Sequence, residues 1–167
     1  ELVPSWGTFL LQVLALALVA DLGLYWGHRI QHTNTWLWEH CHSVHHRVRT
    51  PSGFSVAYIE DRDAFIQATS PIFVSALIVR PHPIVFAVYV WFHLSNNSWN
   101  HSGLQGWWVD LVTLKFLPLR CDNTLHDAHH RFSGYSGPSA KNFAEMFWLW
   151  DWVFGTLSGT QKLAKRQ

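Results

Sequence analysis

Histidine supplies most of the chemistry available to this chain. From His28 to His46 the sequence HRIQHTNTWLWEHCHSVHH places six histidines in nineteen positions. His28 and His32 stand four apart, and His42, His45 and His46 follow at intervals of three and four, so each set projects from one face if its backbone is helical. The HxxHH spacing returns eighty-four residues later as His126, His129 and His130 in LHDAHHRF. A neutral imidazole is a ready ligand for a transition metal, although a lone helical pair is equally explained as a satisfied core pair. Eight at ligand spacing differ in kind. A zinc-like ion is saturated by about four ligands, so eight convergent imidazoles imply two metal ions or none. The donors are nearly all nitrogen, without the Glu-x-x-His pairs that build metal sites in soluble four-helix bundles. Ligand softness alone therefore admits Zn, Fe, Cu or Ni.

The elements that must position these side chains are apolar. Gly7 to Trp26 runs about twenty residues with only Gln12 and Asp21 polar, which is enough to cross a hydrocarbon core of about 30 Å. Asp21 lies seven residues before His28 and eleven before His32, on one stripe with both. It is expected either to accept the second N–H of a metal-bound imidazole or to sit as a helix-end acid near the interface. Pro51, Ser52 and Gly53 break the chain after the first HxxHH. Two further apolar runs, Phe65 to Val79 and Ile84 to Leu94, are joined by Arg80-Pro-His-Pro83 and predict a helical hairpin, either as two spans or as a re-entrant pair. His82, between prolines, reads as a plain loop histidine. Past the hairpin, His93, Asn97 and His101 recur every four residues and share a face if the helix continues. Gly106 to Leu119 predicts an amphipathic helix at an interface. Phe143 to Leu157 predicts an aromatic closing helix, preceded by a Gly/Ser/Pro-rich loop and followed by a solvated basic tail, Gln161 to Gln167.

Composition supports that arrangement. The chain has 167 residues, fitting a single domain over 1–167, and begins at Glu1 without a methionine, as a piece of a longer chain or a processed product would. It is 49% hydrophobic and 14% charged, with 11 Trp, a profile that predicts membrane embedding. Twelve basic against eleven acidic residues leave a net charge of +1, so no global field points to nucleic acid. Cys41 and Cys121 are too few for a disulfide framework and read as reduced and structural; Cys41, four residues before His45, is also placed to act as a thiolate ligand. Arg29, Arg47, Arg49 and Arg131 beside the clusters put the histidine face in the cytosol by the excess of basic residues on that side of a membrane.

Taken in order, HxxxH, HxxHH, the NHSG of Asn100 to Gly103, the second HxxHH and the WDWVFGT of Trp150 to Thr156 make a set that resembles the fatty acid hydroxylase and sterol desaturase superfamily of membrane di-iron oxygenases. The resemblance runs from about Asp21 to Thr156. HSVHHRVRTPSGFSVAY is most similar to the sphingoid-base C4-hydroxylases, with the C-4 methylsterol oxidases close behind. It implies an all-α integral membrane bundle with a cytosolic histidine-lined cap, in the endoplasmic reticulum of a eukaryote or the inner membrane of a bacterium. It implies two iron ions, replaceable by zinc in overexpressed protein, with O2 as co-substrate. The implied ligands are His28, His32, His42, His45, His46, His101, His126, His129 and His130, with Asp21 and Asp127 supporting them. His101 is carried over through NHSG, whereas His93 has no such support. Relatives often carry His-Pro where AYIEDRD has Glu60-Asp61, so a ligand is lost there, replaced by a carboxylate, or was only structural.

Iron also suits the implied substrate, because the C–H bonds of a lipid offer no acidic proton to a hydrolytic zinc site. Reduced di-iron with dioxygen gives an oxidant that abstracts hydrogen and returns hydroxyl. Electrons must come from outside, since no GxGxxG fingerprint is present. Cytochrome b5 and its reductase, or equivalent carriers, are the implied donors, and a basic rim of Arg47, Arg49, Arg62, Arg131 and Lys141 suits an acidic partner. Three rivals remain. A membrane zinc transporter does not need two HxxHH copies beside an arginine rim, a bis-histidine haem leaves most of the set unexplained, and a catalytically inactive metal-binding relative differs only in metal content and turnover.

Overall fold

The structure, a computed structural model, describes residues 3–49, 52–133 and 140–158. Helix α1 (Trp6–Thr33) begins where the Ser5 hydroxyl accepts the Thr8 amide, and it ends at Asn34, whose extended backbone turns the chain away. Among the described residues α1 is the one helix long and apolar enough to cross a membrane, judged by length and composition. The Asn34 side chain caps the next helix, α2 (Thr35–Leu37), by accepting the Leu37 amide.

Beyond α2 the structure departs from a regular helix. The chain widens into a π turn over Trp38–His42 and tightens into a 3-10 turn over His45–Arg47. The first HxxHH therefore sits on consecutive irregular turns, a kind of local irregularity common where side chains must be aimed.

The chain then descends through α3 (Asp61–Ala64), a π turn (Phe65–Thr69) and α4 (Ser70–Val79). It runs hard against α1: a Cβ on Gly23 would lie 2.9 Å from Pro71 Cβ, and one on Gly27 2.8 Å from the Ile66 carbonyl oxygen. Arg80, left-handed at φ 50°, ends α4. Pro83 opens α5 (Pro83–His101), where the His82 imidazole accepts the Ile84 amide. The expected hairpin is thus present, and His82 is a helix cap. The His82 amide donates to Gln12 Oε1 near the start of α1, so α5 rises alongside α1 toward the same end. It continues past Leu94 and turns Val85, Tyr89, His93, Asn96, Asn100 and His101 inward. Leu16, Ala17 and Ala20 of α1 pack with Ile72, Val85, Tyr89 and Met146 to form the core between these helices. Their outer faces stay apolar: Leu10, Leu11, Phe73, Leu77, Ile78 and Trp91 are all exposed.

The remaining helices, α6 (Trp107–Val112), α7 (Asn123–Phe132) and α8 (Leu149–Val153), are short. The amphipathic helix expected to reach Leu119 stops at Val112, and the chain loops back with Leu114 and Leu119 at positive φ. The closing helix expected from Phe143 starts only at Leu149, for a physical reason. Asp151 accepts the amides of Phe143 and Ala144, and Asp21 those of Met146 and Phe147, all at 2.9 Å; the latter two are donors that a helix begun at Phe143 would need. Phe147 instead makes an isolated antiparallel bridge with Arg120, and the described residues contain no strand. Pro51, most of the Gly/Ser/Pro-rich loop and the basic tail lie outside the described residues.

Because Asp151 is buried and also accepts the Thr156 hydroxyl, Asp151→Ala removes the acceptor of three donors, leaves the Phe143 and Ala144 amides unsatisfied and should cost about 3–5 kcal/mol. The expected result is a clearly lower thermal unfolding midpoint in detergent, with Asp151→Asn intermediate because it keeps one acceptor oxygen.

Candidate metal centre

Nine histidines meet at the end of the bundle where α1 and α5 finish. His28 and His32 come from the last turns of α1, His42 from the π turn, His45 and His46 from the 3-10 turn, His101 from the end of α5, and His126, His129 and His130 from α7. Helix α7 is set in place by Asp122, whose Oδ1 accepts the Thr124 and Leu125 amides. None of the nine is more than 8% exposed.

They sort into two groups. His28, His32, His42, His46 and His129 form one, and His45, His101, His126 and His130 the other, with ligand nitrogens within 4.8 Å of one another inside each. Each HxxHH is split between the groups, because neighbouring residues point in different directions along a helical turn. His93 is buried with neither ring nitrogen partnered and belongs to neither group. Cys41 and Cys121 are free, buried thiols and also stand outside both.

Hydrogen bonding at the far side of each ring decides what the near side can do. The Nδ1 atoms of His28, His101 and His129 lie 2.8, 2.9 and 2.7 Å from the carbonyl oxygens of Phe143, Asn97 and Lys141, and His45 Nδ1 lies 3.3 Å from that of Tyr58. A carbonyl only accepts, so each of these Nδ1 atoms carries the proton and the neutral ring presents a bare Nε2 lone pair. His42 is held likewise: its Nδ1 donates to Asp63 Oδ2 at 2.9 Å, while Asp63 Oδ1 accepts Gln31 Nε2. Burial pushes Asp63 up to about 6 and His42 down to about 3, so near neutral pH the pair is a carboxylate accepting from a neutral imidazole.

The inward nitrogens crowd together. His45 Nε2 stands 3.2 Å from His101 Nε2, which is 2.9 Å from His126 Nε2; in the other group His129 Nε2 stands 3.1 Å from His32 Nε2 and 3.2 Å from His46 Nε2. His45 and His101 both face the contact with lone pairs, so it is repulsive unless a positive charge lies between them. A proton is disfavoured, since burial, reinforced by neighbouring imidazoles, lowers His45 to about 3. A metal cation in each group relieves the repulsion, and an all-imidazole donor set fits a transition metal.

The structure relocates the two supporting acids. Asp21 sits on α1 beside the site, but both its oxygens are taken by backbone amides of Met146 and Phe147, and no imidazole N–H reaches it. Asp127 faces away and pairs with Arg131 Nε at 3.0 Å, one helical turn on. Asp21 shares the histidine stripe of α1 but lies two turns before His28, where the Met146 and Phe147 amides take both its oxygens, while Asp127 lies on the outward face of α7. Asp63, overlooked in the sequence, takes the supporting role. Its signal was an acid two residues after Asp61, next to the place where the resemblance already breaks.

Two adjoining, buried, all-histidine groups at one end of a helical bundle define a class of histidine-clustered helical proteins whose donor set is compatible with metal binding. The sequence profile of the fatty acid hydroxylase family matches residues 13–156, and the chain belongs to that family. It is 35% identical over 156 residues to very-long-chain aldehyde decarbonylase GL1-11 of Oryza sativa, covering 92% of this chain and 55% of the relative. It is 32% identical over 161 residues to methylsterol monooxygenase 2-2 of Arabidopsis thaliana, covering 96% of this chain and 58% of the relative. The chain thus spans little more than half the length of the curated relatives it matches. The methylsterol enzymes agree with one of the two subfamilies expected from the motifs, and the decarbonylases add a class the motifs did not single out. No solved structure matches.

Two outcomes follow from this geometry. Asp63→Ala should weaken metal retention about 10–100-fold, as loss of a carboxylate behind a ligating imidazole generally does, measured by chelator competition on purified protein. With metal removed, stability should fall with acid. His42 and His45 titrate near 6.5 when unfolded and near 3 when folded, so the unfolded state takes up protons that the folded state refuses between those limits. Unfolding midpoints of the metal-free protein should be flat above about pH 6.5 and drop below it.

Proposed function

We propose that this chain is the core of an integral membrane, di-iron, dioxygen-dependent lipid oxygenase. The carrying observation is the convergence of nine buried imidazoles into groups of five and four. Two iron ions held there supply dioxygen binding and electron transfer. The residues of the chain do the rest: carbonyls and Asp63 fix His28, His42, His45, His101 and His129 in the tautomer that offers Nε2, and burial keeps the rings neutral and water scarce. Iron is favoured over zinc by family membership and by the unactivated C–H bonds of a lipid.

Exposed aliphatic and aromatic side chains around α1, α4 and α5 favour a lipid surrounding, since a surface of that extent is unfavourable in water. The site lies at the end of that apolar zone, beside the exposed Arg47, Arg49, Arg62 and Arg131, which favours a cytosolic face and docking of an acidic electron carrier such as cytochrome b5. A surface groove of about 330 Å³ bounded by Trp36, Cys41, Asp61, Arg62, Phe65 and Ile66 adjoins His42 in sequence. It is apolar with a charged rim, and suits a lipid whose head stays at the interface. The reading is therefore insertion of one oxygen atom from O2 into a C–H bond near the head of a sphingoid base, a sterol or a fatty acyl lipid, by hydroxylation rather than desaturation. A long-chain aldehyde is a second substrate class, favoured by the identity to the rice decarbonylases.

Protein extracted from its native membrane should carry two metal ions per chain, and one or fewer at full occupancy would refute the centre. Supplied with sphingoid bases, sterols, fatty acids or long-chain aldehydes, labelled dioxygen and a reducing system, it should yield a labelled product by mass spectrometry. A clean double bond without label, or turnover without dioxygen, would overturn the reading. His129→Ala should abolish product, whereas His82→Ala should leave it nearly unchanged.

A further inference from the structure

Beside the smaller histidine group lies a cavity of about 30 Å³, walled on its polar side by His45, Asp63, Gln67, Asn97, His101 and Glu145. An ordered water needs about 10–15 Å³ of such space, so the cavity takes one or two. Glu145 is 3% exposed, and its position is fixed from two directions: Gln67 Nε2 donates to Oε1 at 2.8 Å, and Asn100 Nδ2 donates to its backbone carbonyl at 3.0 Å. Oε2 has no protein partner, nor does Asn97 Oδ1 on the same cavity wall. A carboxylate with one bare oxygen is costly in such a place, while a carboxylic acid with its proton on Oε2 is not. Asp21, Asp63 and Tyr89 interact with it electrostatically and His45 and His101 share its cavity; burial together with both aspartates raises Glu145 to about 7 against the opposing hydrogen bond from Gln67.

Oxygenation needs protons at this buried place. The balance is R–H + O2 + 2 e⁻ + 2 H⁺ → R–OH + H2O, with electrons from a one-electron carrier protein. The N–H groups of His42, His45 and His101 are committed to Asp63 and to backbone carbonyls, so these rings have no proton to give. We propose that Glu145 is the proton-carrying residue of the centre. Its Oε2–H hands a proton through cavity water, past the Asn97 amide, toward the His45 and His101 side. The carboxylate so formed is reprotonated by water that enters the cavity from bulk solvent past half-buried Val56 and Ile59. This role rests on the oxygenase reading and deepens it.

The test uses full-length protein purified from membranes with its metal. Infrared spectroscopy near neutral pH should show a protonated-carboxyl C=O band that shifts in D2O and is lost in Glu145→Gln. During turnover, Glu145→Gln should keep wild-type metal content but lose at least tenfold in product per electron, releasing hydrogen peroxide. Glu145→Asp should recover part of the coupling, and the solvent isotope effect should rise in the variant. Asn97→Leu, which alters the same wall while sparing the backbone carbonyl that holds His101, should also uncouple. Absence of the band, or wild-type coupling and isotope effect in Glu145→Gln, would overturn the role. A wild type that makes no oxygenated product overturns the oxygenase reading and this role with it, a failure told apart from that of Glu145 alone by the wild-type control.

Discussion

Mutual repulsion among inward-facing lone pairs is the constraint on which the metal end depends. Five rings are pinned at Nδ1 by acceptors that cannot donate back, so rotating a ring or shifting its proton breaks a buried hydrogen bond. The acceptors come from across the chain: Tyr58 from the loop before α3, Asp63 from α3, Asn97 from α5, and Lys141 and Phe143 from the segment before α8. The far ends of the fold are therefore required to hold imidazoles in a conformation that is unfavourable until a cation arrives.

The C-terminal segment shows how the rest of the structure serves that need. Phe143 to Phe147 is held out of a helix by Asp21 and Asp151, which leaves the Phe143 carbonyl free for His28. Arg120 reinforces the arrangement from the other side, donating to the Met146 carbonyl and to Asn96 of α5 while lying against Phe92 and Phe147. Two buried acids and a buried guanidinium beside an apolar surface are explained by the backbone they organise.

What was legible in the sequence follows from which signals are local. Histidine spacing survives any backbone that brings the clusters together, so eight of the nine residues could be named from it, and His101 from the NHSG motif, although His42 to His46 lie on a π and a 3-10 turn. The hairpin at Arg80 to Pro83 was legible because proline and a helix end are local events. The acids were not. Whether Asp21 meets an imidazole or an amide depends on a segment 125 residues away, and sequence phase on α1 cannot register it. The closing helix failed for the same reason, since its competitor for backbone donors is a side chain on another helix. Asp63 gave only a weak local sign, and the Nδ1 carbonyl acceptors gave none, because every residue has a carbonyl.

The division of each HxxHH between the two groups has a consequence for how such a centre fills and empties. His45 and His46 are joined by one peptide bond yet look into different groups, as do His129 and His130. Were both groups to hold an ion as proposed, the first captured would fix the backbone that aims the other group's imidazoles, so the second would meet a site already ordered. Loading should be cooperative, with a steep isotherm and few half-filled molecules, and stripping one ion should loosen its neighbour. The adjacent histidine pair is thus a mechanical linkage, which makes the two groups a single binding unit.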